Sequence, residues 1–538
     1  MGSRLVLLAL LVVVGMTAAR AAPADPFSGT WISVDLRDGS SQTLVLKRSK
    51  ADSYDVTLTD DRASACGGEA VTGRGVGTAA GTKLSAPLTF TCPDGKRLEA
   101  TFVVTYRAGD DTLVDDQGAV WARVKAAPTA TEIVLKNAVV LTMDPRRPRA
   151  QAVLVRGQRI TAVGTNAAVQ RKARRGAKVI DLRGRVVVPG FIDSHSHRLR
   201  NYGNVGYTRA RSIREALEQG WTTLSELYVD DETLAAFRAL DESGALPLRI
   251  NAYLTVNTLE TQPLGDWYTA YRPRQVLSPR LRVAGLKYFV DFDSCKKIGW
   301  TQAELTAAIV RDQRNGWPIA AKSVCSRSLE MILEAFDAAQ RGNAGPAYRN
   351  RIEHLLSATR PQIAHLKRLG AVASIQTNIP GELVDDQDFL DLVKREPRGA
   401  MTPWRSLVKA GVVIAGGSAW PTHYVRIAGG APFASPLRLL YQAATRAGNP
   451  GQKPLPWMLS QTITVEQALR ALTINAAYAT FEDKQKGSIT AGKLADLVVF
   501  SANPLAVPVL RIPSIRVLAT MIGGKVESCV RRATRLCP

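Results

Sequence analysis

The sequence predicts an α/β protein: a (β/α)8 TIM barrel with a small flanking β-sandwich built from both ends of the barrel region, and a separate N-terminal all-β domain. Three observations carry this. From Val186 onward, eight short apolar runs alternate with amphipathic stretches of helical period. Polar residues stand at the ends of several of these runs, where barrels of this kind assemble their sites. Before residue 125, by contrast, short alternating segments are separated by turn signals and show the period of strands. At 538 residues the chain also exceeds one ordinary core.

Residues 1–22 carry Arg4, an apolar run from Leu5 to Val14 and the small-residue pattern Ala19-Arg20-Ala21. This layout predicts a secretory signal peptide, with an uncleaved membrane anchor as the alternative, and hence an exported protein, periplasmic or extracellular. The run is short for a bilayer span, which needs about 20 apolar residues. Residues 23–124 hold segments such as Tyr54 to Leu58 and Phe102 to Tyr106, with turns at Cys66-Gly67-Gly68, Pro93-Asp94-Gly95 and Asp116-Gln117-Gly118. Gly29-Thr30-Trp31 at the start and Trp121 at the end resemble small lipocalin-like β-barrels, and the plainer reading is a stabilising or surface-attachment module without a ligand.

Residues 125–131 read as a linker. Strands are then expected at Ile133 to Leu141, Ala152 to Val155, Arg159 to Val163 and Val179 to Leu182, within a composite β-sandwich of residues 132–185 and 485–526. Its returning strands are Asp496 to Phe500 and Ile515 to Ile522, which should complete the sheet begun at residue 132. Residues 186–484 form the barrel, with strands at 186–195, 221–228, 248–256, 282–291, 317–324, 350–356, 370–377 and 411–418. Helices are expected at Thr301 to Arg314, Ser326 to Arg341, Arg360 to Leu369 and Val465 to Thr480. Residues 527–538 are a tail.

The formal charge of +23 favours contact with anionic envelope surfaces such as acidic polymers or headgroups. The basic residues are dispersed, and the densest clusters, Lys172-Ala173-Arg174-Arg175 and Arg531-Arg532, lack interleaved aromatics, which argues against nucleic acid. Six cysteines in an exported chain permit disulfides, and their spacing suggests Cys66 with Cys92, Cys295 with Cys325 and Cys529 with Cys537. Cys295 and Cys325 each follow a barrel strand, so free thiols or metal ligands are the alternative for that pair.

His195 and His197 stand at i and i+2 on the first barrel strand and so face the same side, where a pair of imidazoles can grip one cation. Lys287 ends the fourth strand and His354 the sixth. Three of the five histidines at strand ends favour a metal site over satisfied core residues.

Four motifs bear on identity: Pro189-Gly190-Phe191-Ile192-Asp193-Ser194-His195-Ser196-His197, Gly285 to Asp291, Arg351-Ile352-Glu353-His354, and Lys486 to Leu497. Over roughly residues 131–526 the chain resembles the metal-dependent amidohydrolase superfamily, in the branch of imidazolonepropionase-like and N-substituted formamide deformylase-like proteins. The resemblance implies hydrolysis of non-peptide C–N bonds of a small-molecule substrate by metal-activated water. It also implies metal ligands at His195, His197, Lys287 and His354, with Lys287 carbamylated.

Two positions depart from the pattern. Where the family has a fifth-strand histidine this chain has Lys322, and where it has an eighth-strand aspartate, metal ligand and general base, this chain has Ala419. The long insertion many relatives carry after the first strand is also absent. His195, His197 and a carbamylated Lys287 still supply three ligands, so the expectation is one divalent metal, zinc by preference, or none. Lys322 would replace the second cation by pairing with the carbamate. His354, Lys322 and, from a loop, His423 are the candidate catalytic residues, with Asp291 and Asp293 as substitutes for the missing base. Two functions follow: a mononuclear C–N hydrolase, or a catalytically inactive relative that binds a ligand or envelope component.

Overall fold

A computed structural model of the chain describes residues 25–35, 41–66, 69–109, 111–124, 132–341, 348–421, 435–530 and 536–537. The expected signal peptide, the expected linker and His423 lie outside the described residues.

Alternation inside residues 29–124 closes a barrel. Its eight strands are Gly29–Val34, Ser41–Lys50, Ser53–Ala63, Glu69–Ala80, Lys83–Thr91, Arg97–Arg107, Thr112–Asp115 and Val120–Val124. Each pairs with the next, antiparallel throughout, and the last returns to the first through Trp31 and Arg123. Every second residue points inward, so Tyr54, Val56 and Leu58 on one strand meet Leu84, Ala86 and Leu88 on another in one apolar core. The Cys66–Cys92 disulfide lies toward one end of this barrel.

The second barrel is an eight-stranded parallel sheet in chain order: Phe191–Ser196, Trp221–Val229, Arg249–Thr255, Leu281–Tyr288, Ile319–Ser323, Arg351–His354, Val372–Gln376 and Ile414–Gly417. Most of these strands are buried along their whole length, as expected when helices cover one face and a packed interior the other. Beyond the ladder, the Ala419 amide donates to the His195 carbonyl (2.6 Å) and the His197 amide to the Trp420 carbonyl (3.0 Å), which brings the eighth strand against the first. Helices at Gln302–Arg314, Ser326–Arg341 and Arg360–Arg368 stand where the sequence places them. Thr301 and Thr359 each close a capping box that satisfies the first free amides of their helices.

Four expectations need correction. The run expected as one strand from Val186 to His195 is two: Val186–Pro189 pairs antiparallel with Leu497–Phe500 in a flanking sheet, and only Phe191–Ser196 belongs to the barrel. Pro189, with no amide hydrogen, ends the first piece, and the Gly190 amide turns to the Asp496 carbonyl. Ile133 to Leu141 likewise splits at Asn137, in the left-handed region at φ 53, and its halves Glu132–Lys136 and Val139–Leu141 join different sheets. The returning strands expected at Asp496 to Phe500 and Ile515 to Ile522 are Leu497–Phe500 and Val517–Ile522, and with Lys525–Cys529 they extend the sheet of Val139–Leu141 and Val186–Pro189, not that of Glu132–Lys136. The two sheets face one another across Leu135, Val153, Val187, Val499 and Met521, which makes the sandwich. Finally, the helix expected over Val465 to Thr480 breaks at Leu472, whose carbonyl accepts the Ile192 amide of the first barrel strand (2.9 Å).

The closing motif has a structural role in this arrangement. Asp496 takes Arg249 of the third strand in a bidentate pair, at 2.8 and 3.1 Å, and the Gly523 amide at 2.7 Å. It thereby ties the flanking sheet to the barrel.

Candidate metal centre

His195 lies at the centre of the strand-end cluster. Its Nε2 is 3.3 Å from Nε2 of His197, and its ring centroid is 5.1 Å from that of His197 and 4.7 Å from that of His354. His354 ends its strand in the left-handed region (φ 70), followed by Leu355 at φ 41, a backbone uncommon for such residues and one that sets the imidazole beside His195. On its other nitrogen, Nδ1, His195 meets the Glu353 carboxylate at 2.6 Å. A carboxylate there favours the Nδ1–H tautomer and leaves Nε2 with its lone pair toward His197, the arrangement by which a second residue orients a metal-binding imidazole. Two imidazole nitrogens at this separation suit one shared cation.

Glu353 is itself fixed by Arg351, two residues back on the same strand face, at 2.7 Å. The Arg351 guanidinium also reaches the Ser194 carbonyl, the Ser374 hydroxyl and the Tyr253 hydroxyl, so this buried ion pair is fully engaged. Beneath the histidines, Asp193 accepts the His195 and Ser418 amides and the Ser418 hydroxyl, which clamps the first strand to the eighth. Burial pushes the Asp193 carboxyl up to about 6. Gly417 permits the clamp: a Cβ there would sit 2.6 Å from the His195 nitrogen. Ser196 points the other way and donates to Glu226 at 2.8 Å, so Glu226 lies behind the strand and away from the cluster.

Lys287 is fully buried, and its Nζ has no hydrogen-bond partner among the described residues; it lies 4.9 Å from the Phe289 ring centroid. An orphaned buried amine is costly as an ammonium. Burial, helped by the charges of Lys322 and Arg351 and opposed by Glu353, brings Lys287 down to about 7. Burial likewise holds His195 and His354 well below the ordinary histidine value, with Lys287 adding to the effect on both. The imidazoles are therefore neutral ligands. His195, His197 and Lys287 fit a metal: two imidazole nitrogens within sharing distance and a buried amine lacking a partner.

The fifth and eighth stations differ. Lys322 does not turn to Lys287. Its ammonium lies 2.5 Å from the Asp291 carboxylate and 2.8 Å from the Asp291 carbonyl, a partner whose charge exists without any carbamate. Asp291 also accepts the Val324 amide and the Ser328 hydroxyl, so its oxygens are taken and it is no free base. Asp293 is exposed beside Lys296. Ala419, at φ 49, occupies a left-handed position that suits aspartate or asparagine better than alanine. Among the described residues, the only group of three His, Cys, Asp or Glu ligand atoms within 4.8 Å of one another is Asp291, Cys295 and Cys325, and those cysteines are joined as a disulfide. His354 thus does not close a compact trio with His195 and His197.

Glu353, Arg351, Asp193 and Ser418 carry structural duties that the sequence reading left unassigned. The visible signal was Arg351 and Glu353 at i and i+2 in a buried strand, since opposite charges that share a buried face must satisfy one another.

The fold and the cluster define a class: a (β/α)8 protein with histidines gathered at the C-terminal ends of its strands. The model of the Amidohydrolase family matches residues 206–527. N-substituted formamide deformylase of Arthrobacter pascens is 22% identical, over 73% of this chain and 97% of its own length. Imidazolonepropionase of Treponema denticola is 26% identical over 65% and 85%. Protein LONG AFTER FAR-RED 3 of Arabidopsis thaliana is 28% identical over 46% of this chain, and only 44% of that protein is spanned. An uncharacterized metal-dependent hydrolase from Pyrococcus horikoshii superposes with a TM-score of 0.57 at 15% identity, covering 70% of this chain and 99% of that one, a likeness of fold. This chain belongs to the amidohydrolase family.

Proposed function

We propose that the chain hydrolyses an amide-like C–N bond of a small molecule with one divalent metal, zinc by donor type, held by His195, His197 and Lys287 as its carbamate. The observation that carries this reading is the Glu353–His195–His197 alignment beside the partnerless Lys287 amine. When bound, the metal polarises a carbonyl and makes water more acidic. The neutral Lys287 amine can add carbon dioxide and lose one proton, which turns an orphaned buried amine into an anionic ligand. At the second station only His354 remains as a ligand, which supports a single metal. We assign His354, neutral and adjacent to His195, as the proton acceptor in place of the absent carboxylate. Lys322, committed to Asp291, supplies positive potential at His354 and Lys287 and transfers no proton.

Ala419 and Lys322 also support a second reading, a silent relative that binds a ligand or envelope component. The three disulfides support export to an oxidising compartment, and the basic excess supports contact with an anionic envelope.

Metal analysis of the zinc-loaded full chain, with a hydrolysis screen over N-formyl, N-acyl and cyclic amides, separates the two. The hydrolase reading expects one metal equivalent and turnover abolished by His195→Ala. Metal uptake should increase as pH rises through about 7, because Lys287 must lose its proton to be carbamylated. Two metal equivalents would overturn the single-metal assignment, and neither metal nor turnover would establish the silent relative.

A further inference from the structure

The seventh barrel strand ends in a buried amide that no step of the proposed hydrolysis uses. Gln376 is the last residue of Val372–Gln376 and is 1% exposed. Its neighbours show which way the side chain faces. The ladder to the eighth strand pairs Ile375 with Gly416 and Gln376 with Gly417. A Cβ on Gly416 would meet Leu472, on the helix side, whereas a Cβ on Gly417 would lie 2.6 Å from the His195 nitrogen and 2.9 Å from the His195 Cβ. Paired residues of a ladder share a face and successive residues alternate, so Ile375 packs into the outer core and Gln376 points inward. Thr377, the next residue, turns outward again and donates to the Leu439 carbonyl at 3.0 Å.

The depth of Gln376 follows from the ladder on its other side. Glu353, which meets His195, pairs with Ser374, and the Ser374 hydroxyl accepts the Arg351 guanidinium at 3.1 Å. Gln376 stands two residues further along, roughly 7 Å nearer the mouth of the barrel. It therefore lies in the layer above the Glu353–His195 contact, between the strand that ends in His354 and the strand that abuts His195.

What Gln376 lacks is a partner. Its Nε2 is 3.5 Å from the Ser374 carbonyl of its own strand, longer than an ordinary hydrogen bond. Its Oε1 has no partner among the described residues. A buried acceptor left bare is destabilising, and leucine or methionine would fill nearly the same volume without that cost. The amide therefore gives the scaffold nothing. A bare acceptor beside a reaction centre is satisfied when the substrate brings a donor, and a substrate lacking the donor is then rejected.

We propose that Gln376 determines specificity: its Oε1 accepts the N–H of the amide whose C–N bond is cut. The substrates are then amides with a hydrogen on nitrogen, N-monosubstituted or cyclic, and neither esters nor N,N-disubstituted amides. The assignment rests on the hydrolase reading. Water adds to the carbonyl carbon, His354 takes its proton and passes it to the nitrogen, and the C–N bond breaks to give acid and amine. Gln376 holds the hydrogen already on that nitrogen, which leaves the nitrogen lone pair for the incoming proton, and it transfers none itself.

N-cyclohexylformamide and cyclohexyl formate test this, since one N–H is replaced by oxygen at nearly constant shape. For the zinc-loaded full chain the readout is the ratio of variant to parent for each probe, taken in kcat/KM or, where no turnover occurs, in Kd from ligand-observed NMR titration. Gln376→Leu should weaken the amide by about 10- to 100-fold and leave the ester unchanged or improved. Gln376→Met carries the same expectation. Both variants should unfold at a denaturant concentration equal to or above that of the parent chain, because a bare buried acceptor is gone, whereas a scaffold role would lower it. Equal loss of amide and ester, an amide unaffected by either variant, destabilisation of both variants, or a parent chain that neither binds nor cuts the amide would each overturn the proposal. N–H-dependent binding without turnover would keep the role of Gln376 and remove the hydrolase reading. Turnover of both probes that Gln376→Leu changes alike would remove the role and keep the hydrolase.

Discussion

Two halves of the strand-end ring differ in what their buried charges serve. On the first, fourth and sixth strands the polar groups converge on His195: Arg351 holds Glu353, Glu353 holds His195, and the buried Lys287 amine has no hydrogen-bond partner among the described residues. On the fifth and eighth strands the groups serve the scaffold. Lys322 is spent on Asp291, and Ala419 offers only its backbone amide to the His195 carbonyl. A barrel can thus keep the strand contacts of such a site where the side-chain chemistry is absent, because these contacts run through main-chain groups and Asp193–Ser418 and do not involve the altered side chains.

The largest effect should come from restoring chemistry to the half that has only the backbone. Ala419→Asp places a carboxylate at a φ of 49 that aspartate tolerates better than alanine, so the change carries no backbone penalty. With Lys322→His added to remove the competing ammonium, turnover on the best amide of the screen should rise by about 10²- to 10⁴-fold, the usual worth of a positioned proton acceptor. Steady-state kinetics of the double variant measures it. Unchanged turnover with unchanged metal affinity would mean that the two halves do not form one site.

The next effect tests whether the fifth-strand pair is scaffold. Asp291→Asn leaves the Lys322 ammonium, largely buried, without its carboxylate and should cost about 3 kcal/mol in denaturant unfolding. Replacing both partners, Asp291→Asn with Lys322→Met, should recover most of that loss, since removing a buried pair costs less than breaking it. A double variant as unstable as the single would show that Asp291 acts through Val324 and Ser328 and that Lys322 is incidental.

These two halves were not equally legible in the sequence. The His195–His197 spacing and the places of Lys287, Lys322, His354 and Ala419 at strand ends follow from local patterns, because alternation and run length report where a strand ends. What those residues touch does not follow. Glu353 and His195 are 158 residues apart and Lys322 and Asp291 are 31 apart, and only the order of strands around the barrel brings them together. The same limit divided the runs at Gly190 and Asn137: a continuous apolar stretch marks extended chain but does not say which sheet takes each half. The eight-stranded N-terminal barrel was legible as all-β from its alternation.

The smallest of the three effects bears on the half whose polar groups converge. Glu353→Gln keeps the shape and an oxygen near His195 Nδ1 but removes the charge that selects the Nδ1–H tautomer, and it leaves Arg351 with neutral acceptors only. Groups that orient a metal-binding histidine typically account for about 10- to 100-fold in metal affinity, so zinc should bind that much more weakly in a chelator competition. His195→Ala, by contrast, should lose the metal outright. If Glu353→Gln binds zinc as tightly as the parent chain, His195 is not oriented through Nδ1. The convergence of Arg351, Glu353 and His195 would then be packing of buried charges, the same kind of arrangement as Lys322 on Asp291, and the difference between the two halves would vanish.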